Sequence, residues 1–506
     1  MIVEDQSKVT AFLAEACTHG NVGSVDVMET HISAIFLVGN RAYKLKRAVR
    51  LPYADFSTPD IRLAACVKEY RLNKATSPAI YLGVRRITRA GSGLVFDGTG
   101  ELVDAVVEMV RFDQACILDD MAQHAKLEPQ IMSVLAREIA AAHRKAEVVT
   151  GGGVKNIDGI LDINRAGFHQ SGVFSQAEIE TLDTAFITGL QLLAPILERR
   201  AARGCIRRCH GDLHLRNICI FDGRPQLFDC IDFNDQLATV DVLYDLAFLA
   251  MDLWHRELQE FASLIINHYL DDTHEEDGFA CLPYFIALRA AVRAHVLATQ
   301  SEDTHIRDKA AKRQEARDYY DLAVSLLAPN PPRLIAIGGL SGSGKSTVAS
   351  KLAPLAGIAP GARLIESDRT RKALFGVTPE EHLPESAYLP EVSEKVYAEM
   401  ATRTAALLKD GCVVITDAVF DRTDRTQAIE DVARMIDVPF DGLWLQASPG
   451  ILKQRIETRR NAASDATSAV LDMQLARASG NVDWHRVQTS ASLEETIRVA
   501  RKLLKV

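Results

Sequence analysis

Short apolar runs open the chain. Ala34–Val38 and Arg41–Leu45 read as two strands joined around Gly39-Asn40. Gly83–Thr88 and Leu102–Met109 read as a second pair, on either side of Gly91-Ser92-Gly93 and Asp97-Gly98. Helical spacing covers about Lys8–Cys17 and Pro59–Lys74. Beyond Glu108-Met109-Val110-Arg111 the pattern turns helical, and the stretch from about Phe279 to Leu327 is strongly so, rich in Ala, Arg and Leu. This order predicts a small strand-rich lobe, about 25–112, followed by a larger helical lobe, about 113–328.

A sharp break follows at Ala328-Pro329-Asn330-Pro331-Pro332, where proline cannot continue a helix. From 333 to 506 the pattern alternates. Strands are expected at Leu334–Ile337, Arg363–Glu366, Cys412–Thr416 and Gly442–Gln446, with helical sequence between them. Such alternation predicts an α/β domain with a parallel sheet. At 506 residues, more than one core is expected in any case.

Composition narrows the class. The chain is 47% hydrophobic and 25% charged, which suits a globular protein. Its longest apolar runs, such as Leu246–Leu253, are interrupted by Asp252 and too short to span a bilayer, and Met1-Ile2-Val3-Glu4-Asp5 lacks the start of a secretory signal. A cytoplasmic location without a membrane partner is the expectation. The nine cysteines include no Cys-x-x-Cys pair, so reduced, mostly buried thiols are expected; a metal cluster at Cys205, Cys209 and His210 is the less favoured reading. Net charge is −9, shared unevenly: −10 before residue 333 and +1 from there on. That balance argues against a nucleic-acid partner, the last domain being the one place left open to it. The acidic stretch Asp271-Asp272-Thr273-His274-Glu275-Glu276-Asp277 reads as a solvated loop, with recognition of a cationic substrate as the alternative.

Two segments carry chemistry. The first is His210-Gly211-Asp212, with Asn217 five residues after the Asp, and Ile231-Asp232-Phe233 beyond a hairpin. Ile218–Phe221 and Gln226–Phe228 would form that hairpin around Asp222-Gly223. Phosphoryl transfer to an alcohol needs a base near the hydroxyl and oxygen ligands for metal; Asp212, Asn217 and Asp232 have the spacing for both. The second segment is Gly339-Leu340-Ser341-Gly342-Ser343-Gly344-Lys345-Ser346, a full G-x-x-x-x-G-K-S phosphate loop between a strand and a helix that begins at Thr347. Its glycines let backbone N–H groups wrap phosphates, Lys345 reaches the β- and γ-phosphates, and the Ser346 hydroxyl suits Mg²⁺.

The front motifs resemble the aminoglycoside phosphotransferase family, the small-molecule branch of the two-lobed α+β kinase-like fold. The resemblance implies that Asp212 is the catalytic base and that Asn217 and Asp232 hold Mg²⁺. It also implies a strand lysine paired with a helix glutamate. Lys44 is preferred over Lys46, which shares its strand face, and Glu69 is the expected partner. Asp241 and Asp245 read either as supports of the catalytic loop or as a helix cap and a solvated position. No Gly-x-Gly-x-x-Gly phosphate cover is present in Glu29–Phe36.

The back domain is similar to small P-loop kinases such as polynucleotide kinase, gluconate kinase and the zeta-toxin group. That resemblance implies Asp368 as base, Arg371 as acceptor ligand, Asp417 as a Mg²⁺ support, and Arg455 and Arg459 as lid residues. Arg422 and Arg425 are read as either substrate or surface arginines. The fusion resembles uncharacterised bacterial proteins of the same arrangement. The expected function is ATP- (or another NTP-) and Mg²⁺-dependent phosphoryl transfer at two sites to small-molecule hydroxyls. The alternatives are a front domain that senses nucleotide without transfer, or a toxin-like back domain.

Overall fold

Local sequence accounts for the front elements, seen in a computed structural model describing residues 3–20, 23–30, 32–51, 54–302, 308–458, 464–477 and 482–506. The chain divides into two compact units, 1–153 with 199–249 and 154–198 with 250–506, and the proline-rich stretch 329–332 lies inside the second.

In the first unit, β1 (Val25–Glu29), β2 (Ser33–Val38), β3 (Arg41–Lys46), β4 (Tyr81–Ala90), β5 (Gly93–Phe96) and β6 (Leu102–Val110) form one antiparallel sheet in the order β1-β2-β3-β6-β4-β5. The two-residue period sorts its faces. Phe36, Tyr43, Leu45, Ile87 and Val106 pack with Val9 and Leu13 on one side. Ala105 and Val107 pack with Cys66, Ile80 and Tyr81 on the other. The two edge strands β1 and β5 were not expected. Val27 and Met28 on β1 are exposed, so an edge strand leaves little core signal in the sequence.

Helix α1 (Pro59–Thr76) starts where Thr58 accepts a hydrogen bond from the Ile61 amide and Pro59 fixes the first turn. Its buried stripe is Arg62, Cys66, Glu69 and Asn73, one helical face carrying mostly polar groups. Each is matched. Arg62 meets Asp104 at 2.8 Å, and Asn73 accepts from the Cys230 amide at 3.0 Å. Further along, helix α2 (Pro129–Lys145), the hairpin β7 (Ile218–Phe221) and β8 (Arg224–Leu227), and helix α3 (Val242–His255) surround the His-Gly-Asp segment.

In the second unit, helices α4 (Gln259–Thr273), α5 (Leu282–Glu302) and α6 (Lys309–Leu326) precede the proline-rich stretch. Among the described residues, one helical stretch, Glu276–Glu302, is long and apolar enough to cross a membrane, and 72% of its apolar window is buried in the fold. Then β9 (Arg333–Gly339), β10 (Arg363–Glu366), β11 (Val413–Asp417), β12 (Phe440–Gln446) and β13 (His485–Gln488) build a parallel sheet in the order β10-β11-β9-β12-β13. The alternating pattern predicted four of these strands. Ile335, Ile337, Ile415, Leu443 and Leu445 meet Val348 and Leu352 of helix α7 (Lys345–Leu352) and Leu504 of the last helix in one core. Helix α8 (Ser367–Leu374) leaves β10 directly, and helix α9 (Pro390–Lys409) follows.

The acidic stretch corrects the reading of a solvated or substrate-binding loop. Asp271 and Glu276 are largely buried against Arg363, and Glu276 also holds Arg403. Arg363 is fully buried, so these carboxylates neutralise an internal cation.

Candidate functional sites

The first site gathers where β3, α1 and the β7–β8 hairpin meet. Lys44 and Lys46, two apart on β3, point to one side and share Glu69: Lys44 Nζ lies 2.9 Å from Oε1 and Lys46 Nζ 2.6 Å from Oε2. Glu69 is fully buried, and burial alone would raise its proton affinity. The two lysines more than reverse that and hold its carboxyl down at about 2.

The lysines differ in their second partner. Lys46 binds Asp232 at 2.6 Å, and both side chains are buried. Lys44 binds Asp229, whose carboxylate is 45% exposed. Asp229 sits at φ +61° and its amide accepts anchorage from the Tyr81 side chain, donating to the phenol oxygen at 3.1 Å. A non-glycine residue in the left-handed region is unusual. Burial raises the proton affinity of Asp232, with Lys46 opposing it. The expected ligand Asp232 is therefore engaged with Lys46, while Asp229, missed in the sequence, is the more open carboxylate. Its signal was a second Asp three residues earlier at the hairpin exit.

The loop bearing Asp212 is braced from below. The Gly211 amide donates to Asp245 at 2.7 Å, the His210 amide reaches the same carboxylate at 3.3 Å, and His143 of α2 lies 3.1 Å from it. Gly211 has φ +82°, and a Cβ there would stand 3.0 Å from Ile231. Asp241 pairs with the buried Arg200 at 2.8 Å and accepts the Leu243 amide at the start of α3. Asp245 thus supports the loop, whereas Asp241 pins the helix start. The Asp212 carboxylate accepts from Asn217 Nδ2 at 2.8 Å, leaving the amide oxygen of Asn217 outside that bond. Burial would raise the Asp212 proton affinity, but His214, His210 and Asn217 together pull it below the usual carboxylate range. An ionised base beside Asn217 offers hard oxygen donors of the kind Mg²⁺ takes.

Cys209, His143 and Asp245 also lie close enough together to resemble a metal cluster. Asp245 already accepts two backbone amides there, and His210, the third residue of the sequence alternative, turns its ring to the Phe228 carbonyl at 2.9 Å.

The second site stands at the carboxyl ends of the parallel strands, where open α/β sheets bind ligands. Gly339 at φ +147° could not carry a side chain, since a Cβ would lie 2.5 Å from the Leu445 carbonyl oxygen. The loop closes with Gly344 and passes into α7 through Lys345, Ser346 and Thr347. The Ser346 hydroxyl donates to Asp417 at 2.5 Å, joining the loop to the end of β11. Lys345 Nζ reaches the Leu340 carbonyl at 3.3 Å. Ser343 Oγ is buried without a hydrogen-bond partner, and Gly342 forms the turn between Ser341 and Ser343. The Ser341 amide donates to Gln474 Oε1 at 2.9 Å, from helix α10 (Ser468–Arg477). Gln474 was not anticipated, since nothing local marks a glutamine more than a hundred residues away.

Asp417 is pushed up to about 6, chiefly by burial, against Lys345 and Ser346. Glu366, opposite Asp417 in the strand register, is pushed up to about 7 by burial, with Asp417, Asp271 and Asp368 adding to it and Arg369 opposing it. Asp368 stands in the first turn of α8. Arg371 donates to the Ala387 carbonyl at 2.6 Å and lies over the Tyr388 ring. Arg455 donates to the Thr489 carbonyl at 2.6 Å rather than into the loop. Arg422 pairs with Asp424 and Glu394, and Arg425 with Glu394 and Asp421. Arg459 lies outside the described residues.

Comparison with known proteins finds a match for each of the two segments. Residues 99–279 match the family described as "Phosphotransferase enzyme family", and residues 334–480 match an "AAA domain". The chain joins a phosphotransferase segment to a P-loop kinase-like segment. It is an enzyme of the kinase class. Uncharacterized proteins of Mycobacterium tuberculosis and Mycobacterium bovis are each 28% identical over 492 residues, covering 94% of this chain and 94% of theirs. Among solved structures, the chain is similar to a choline/ethanolamine kinase family protein from Mesorhizobium loti, with 13% identity, TM-score 0.41, 64% of this chain and 94% of that one. It is also similar to a sugar kinase from Janibacter sp. HTCC2649, with 21% identity, TM-score 0.28, 35% of this chain and 96% of that one.

Proposed function

We propose that this chain is a bifunctional ATP- and Mg²⁺-dependent phosphotransferase that moves the γ-phosphoryl group to hydroxyls of small molecules at two separate sites. The observation that carries the reading is the repetition of one chemical set in each unit: a carboxylate base, a lysine for phosphate, and oxygen donors for a cation. In the front unit the set is Asp212, Lys44 and the donors Asn217, Asp229 and Asp232. In the back unit it is Asp368, Lys345 and the pair Ser346 and Asp417.

Mg²⁺ bound at either set would neutralise phosphate charge as transfer proceeds. The chain's own groups do the remainder. Asp212 or Asp368 takes the proton of the acceptor hydroxyl, and Lys44 or Lys345 orients the phosphates. At the front, Asp229 joins Asp232 as a carboxylate ligand: each pairs with a lysine of β3, and Asp229 is the more exposed of the two. Asp212 stays ionised across the physiological range, as a general base requires.

The test is mass spectrometry of a bacterial metabolite extract incubated with the chain, ATP and Mg²⁺. New phosphorylated species are expected, one group lost in Asp212→Ala and another in Lys345→Ala. Full retention of every product in either variant would refute two active sites.

A further inference from the structure

Helix α4, which precedes the proline-rich stretch, reaches into the P-loop domain beside its proposed base. We propose that His268 and Asp271 of α4 are positioning residues of the P-loop kinase site, acting through Arg369 to fix the turn that carries Asp368; the proposal rests on the kinase reading of that site.

The contacts are specific. Arg369 donates from one terminal nitrogen to His268 Nε2 at 2.7 Å and from the other to Asp271 at 3.2 Å. Its Nε faces Glu366 at 3.3 Å. The guanidinium is thus held on two edges, by α4 on one and by the end of β10 on the other. Only 18% of the Arg369 side chain is exposed. A planar fork bound on two edges has little freedom to swing, unlike a lysine.

The segment before Arg369 is tied to α4 as well. Asn267 Oδ1 accepts the Leu364 amide at 2.8 Å and an Arg363 nitrogen at 2.9 Å. On the far side, Arg403 of α9 donates to Thr370 at 3.1 Å. Asp368 therefore stands between Glu366 and Arg369, both fixed, on a strand–helix junction whose neighbours are gripped from α4 and α9.

Such fixing matters because a base must lie within hydrogen-bond reach of the proton it takes, and a misplacement of about 1 Å can lower a rate by about a hundredfold. His268 and Asp271 touch neither the phosphate loop nor Lys345 in any bond described above. Loosening them should lower kcat and leave nucleotide binding intact.

The experiment uses the full chain carrying Asp212→Asn, so that phosphate release from Mg-ATP, with water as acceptor, reports the P-loop site. The probes are Mg-ATP for turnover and a fluorescent ADP for binding. His268→Ala and Asp271→Asn are expected to lower kcat by about tenfold with KM for ATP and the Kd for the ADP probe within about twofold. His268→Gln, whose amide oxygen can still accept from Arg369, is expected to recover most of the loss. The proposal is overturned if His268→Ala leaves kcat within about twofold of the parent. Equal loss in His268→Ala and His268→Gln also overturns it, as does a kcat loss matched by an equal loss of ADP affinity. A chain carrying both Asp212→Asn and Lys345→Ala that still turns over ATP at the Asp212→Asn rate would remove the kinase reading of the back site itself, and the proposal with it.

Discussion

Replacing Glu276 by Gln removes one charge from the arginine cluster of the second unit while keeping the side chain's size. Glu276 receives Arg363 at 2.7 Å, and Arg403 donates to its other oxygen at 2.9 Å. Burial works against its ionised form, and the two arginines more than offset that, holding the carboxyl at about 2 against an ordinary 4.5. At 1.36 kcal/mol for each pH unit of difference, the folded state gains about 3 kcal/mol at neutral pH from this ionisation. The sign is that of a depressed acid. The contribution is complete above about pH 4.5 and fades as pH falls toward 2, leaving roughly 2 kcal/mol at pH 3.5.

Urea unfolding followed by tryptophan fluorescence isolates the relevant unit, because Trp254, Trp444 and Trp484 are the chain's three tryptophans and all lie in it. Glu276→Gln is expected to be less stable by about 3 kcal/mol at pH 7.5, in line with losing one partner of a buried ion pair. The gap to the parent should narrow to about 2 kcal/mol at pH 3.5. A gap below about 1 kcal/mol at pH 7.5 would place Glu276 in the class of surface pairs and refute the reasoning. So would a gap that widens on acidification.

Lys345→Ala should weaken binding of a fluorescent ADP to the back site by more than about tenfold, read as the loss of one of the two binding phases in a titration of the full chain, since a charge-assisted phosphate contact is lost. In a Lys345→Ala background, Asp229→Asn should raise the Mg²⁺ concentration needed for half-maximal ATP turnover; Asp232→Asn should chiefly lower stability, by about 3 kcal/mol, because it leaves the buried Lys46 with one partner fewer. Asp417 must shed its proton to face a cation, so the Mg²⁺-induced rise in melting temperature should grow as pH rises through about 6, a trend measured by differential scanning fluorimetry from pH 5 to 7.5. Gly211→Ala should destabilise the first unit by about 1–3 kcal/mol in chemical unfolding, from backbone strain at φ +82° and the crowding against Ile231.

What the sequence made legible was local. The phosphate loop is contiguous, so its glycines, Lys345 and Ser346 declare themselves together. Asp212 and Asn217 are five apart on one loop, and the Asp222-Gly223 hairpin that follows them needs no distant contact to be read. Asp229 and Asp232 show where this stops. Both sit at the hairpin exit, three apart, and the sequence pattern points only to Asp232, from its spacing after Asp212 and Asn217 and its place in Ile231-Asp232-Phe233. Their surroundings are set by tertiary contacts: Tyr81 receives the Asp229 amide, Lys44 pairs with Asp229, and Lys46 pairs with Asp232. The same holds for Arg455, whose helical spacing suggested a lid but whose guanidinium meets the Thr489 backbone.

Charge was the most misleading signal, and for a physical reason. A count of −10 before residue 333 invites a search for a cationic substrate, because sequence shows carboxylates without their partners. Asp271 and Glu276 belong to that surplus, yet their partners are Arg363, Arg369 and Arg403, some ninety or more positions later. A buried arginine such as Arg363 leaves no local trace either; it lies in the short strand β10 where an apolar residue would be expected. Two carboxylates in an apparently solvated run and a cation in a core strand are each anomalous alone. Together they form a neutralising cluster, and the burial of Arg363 requires it. The uneven charge of the two parts is therefore in part complementarity within the second unit, and it lies directly beside the junction that carries Asp368.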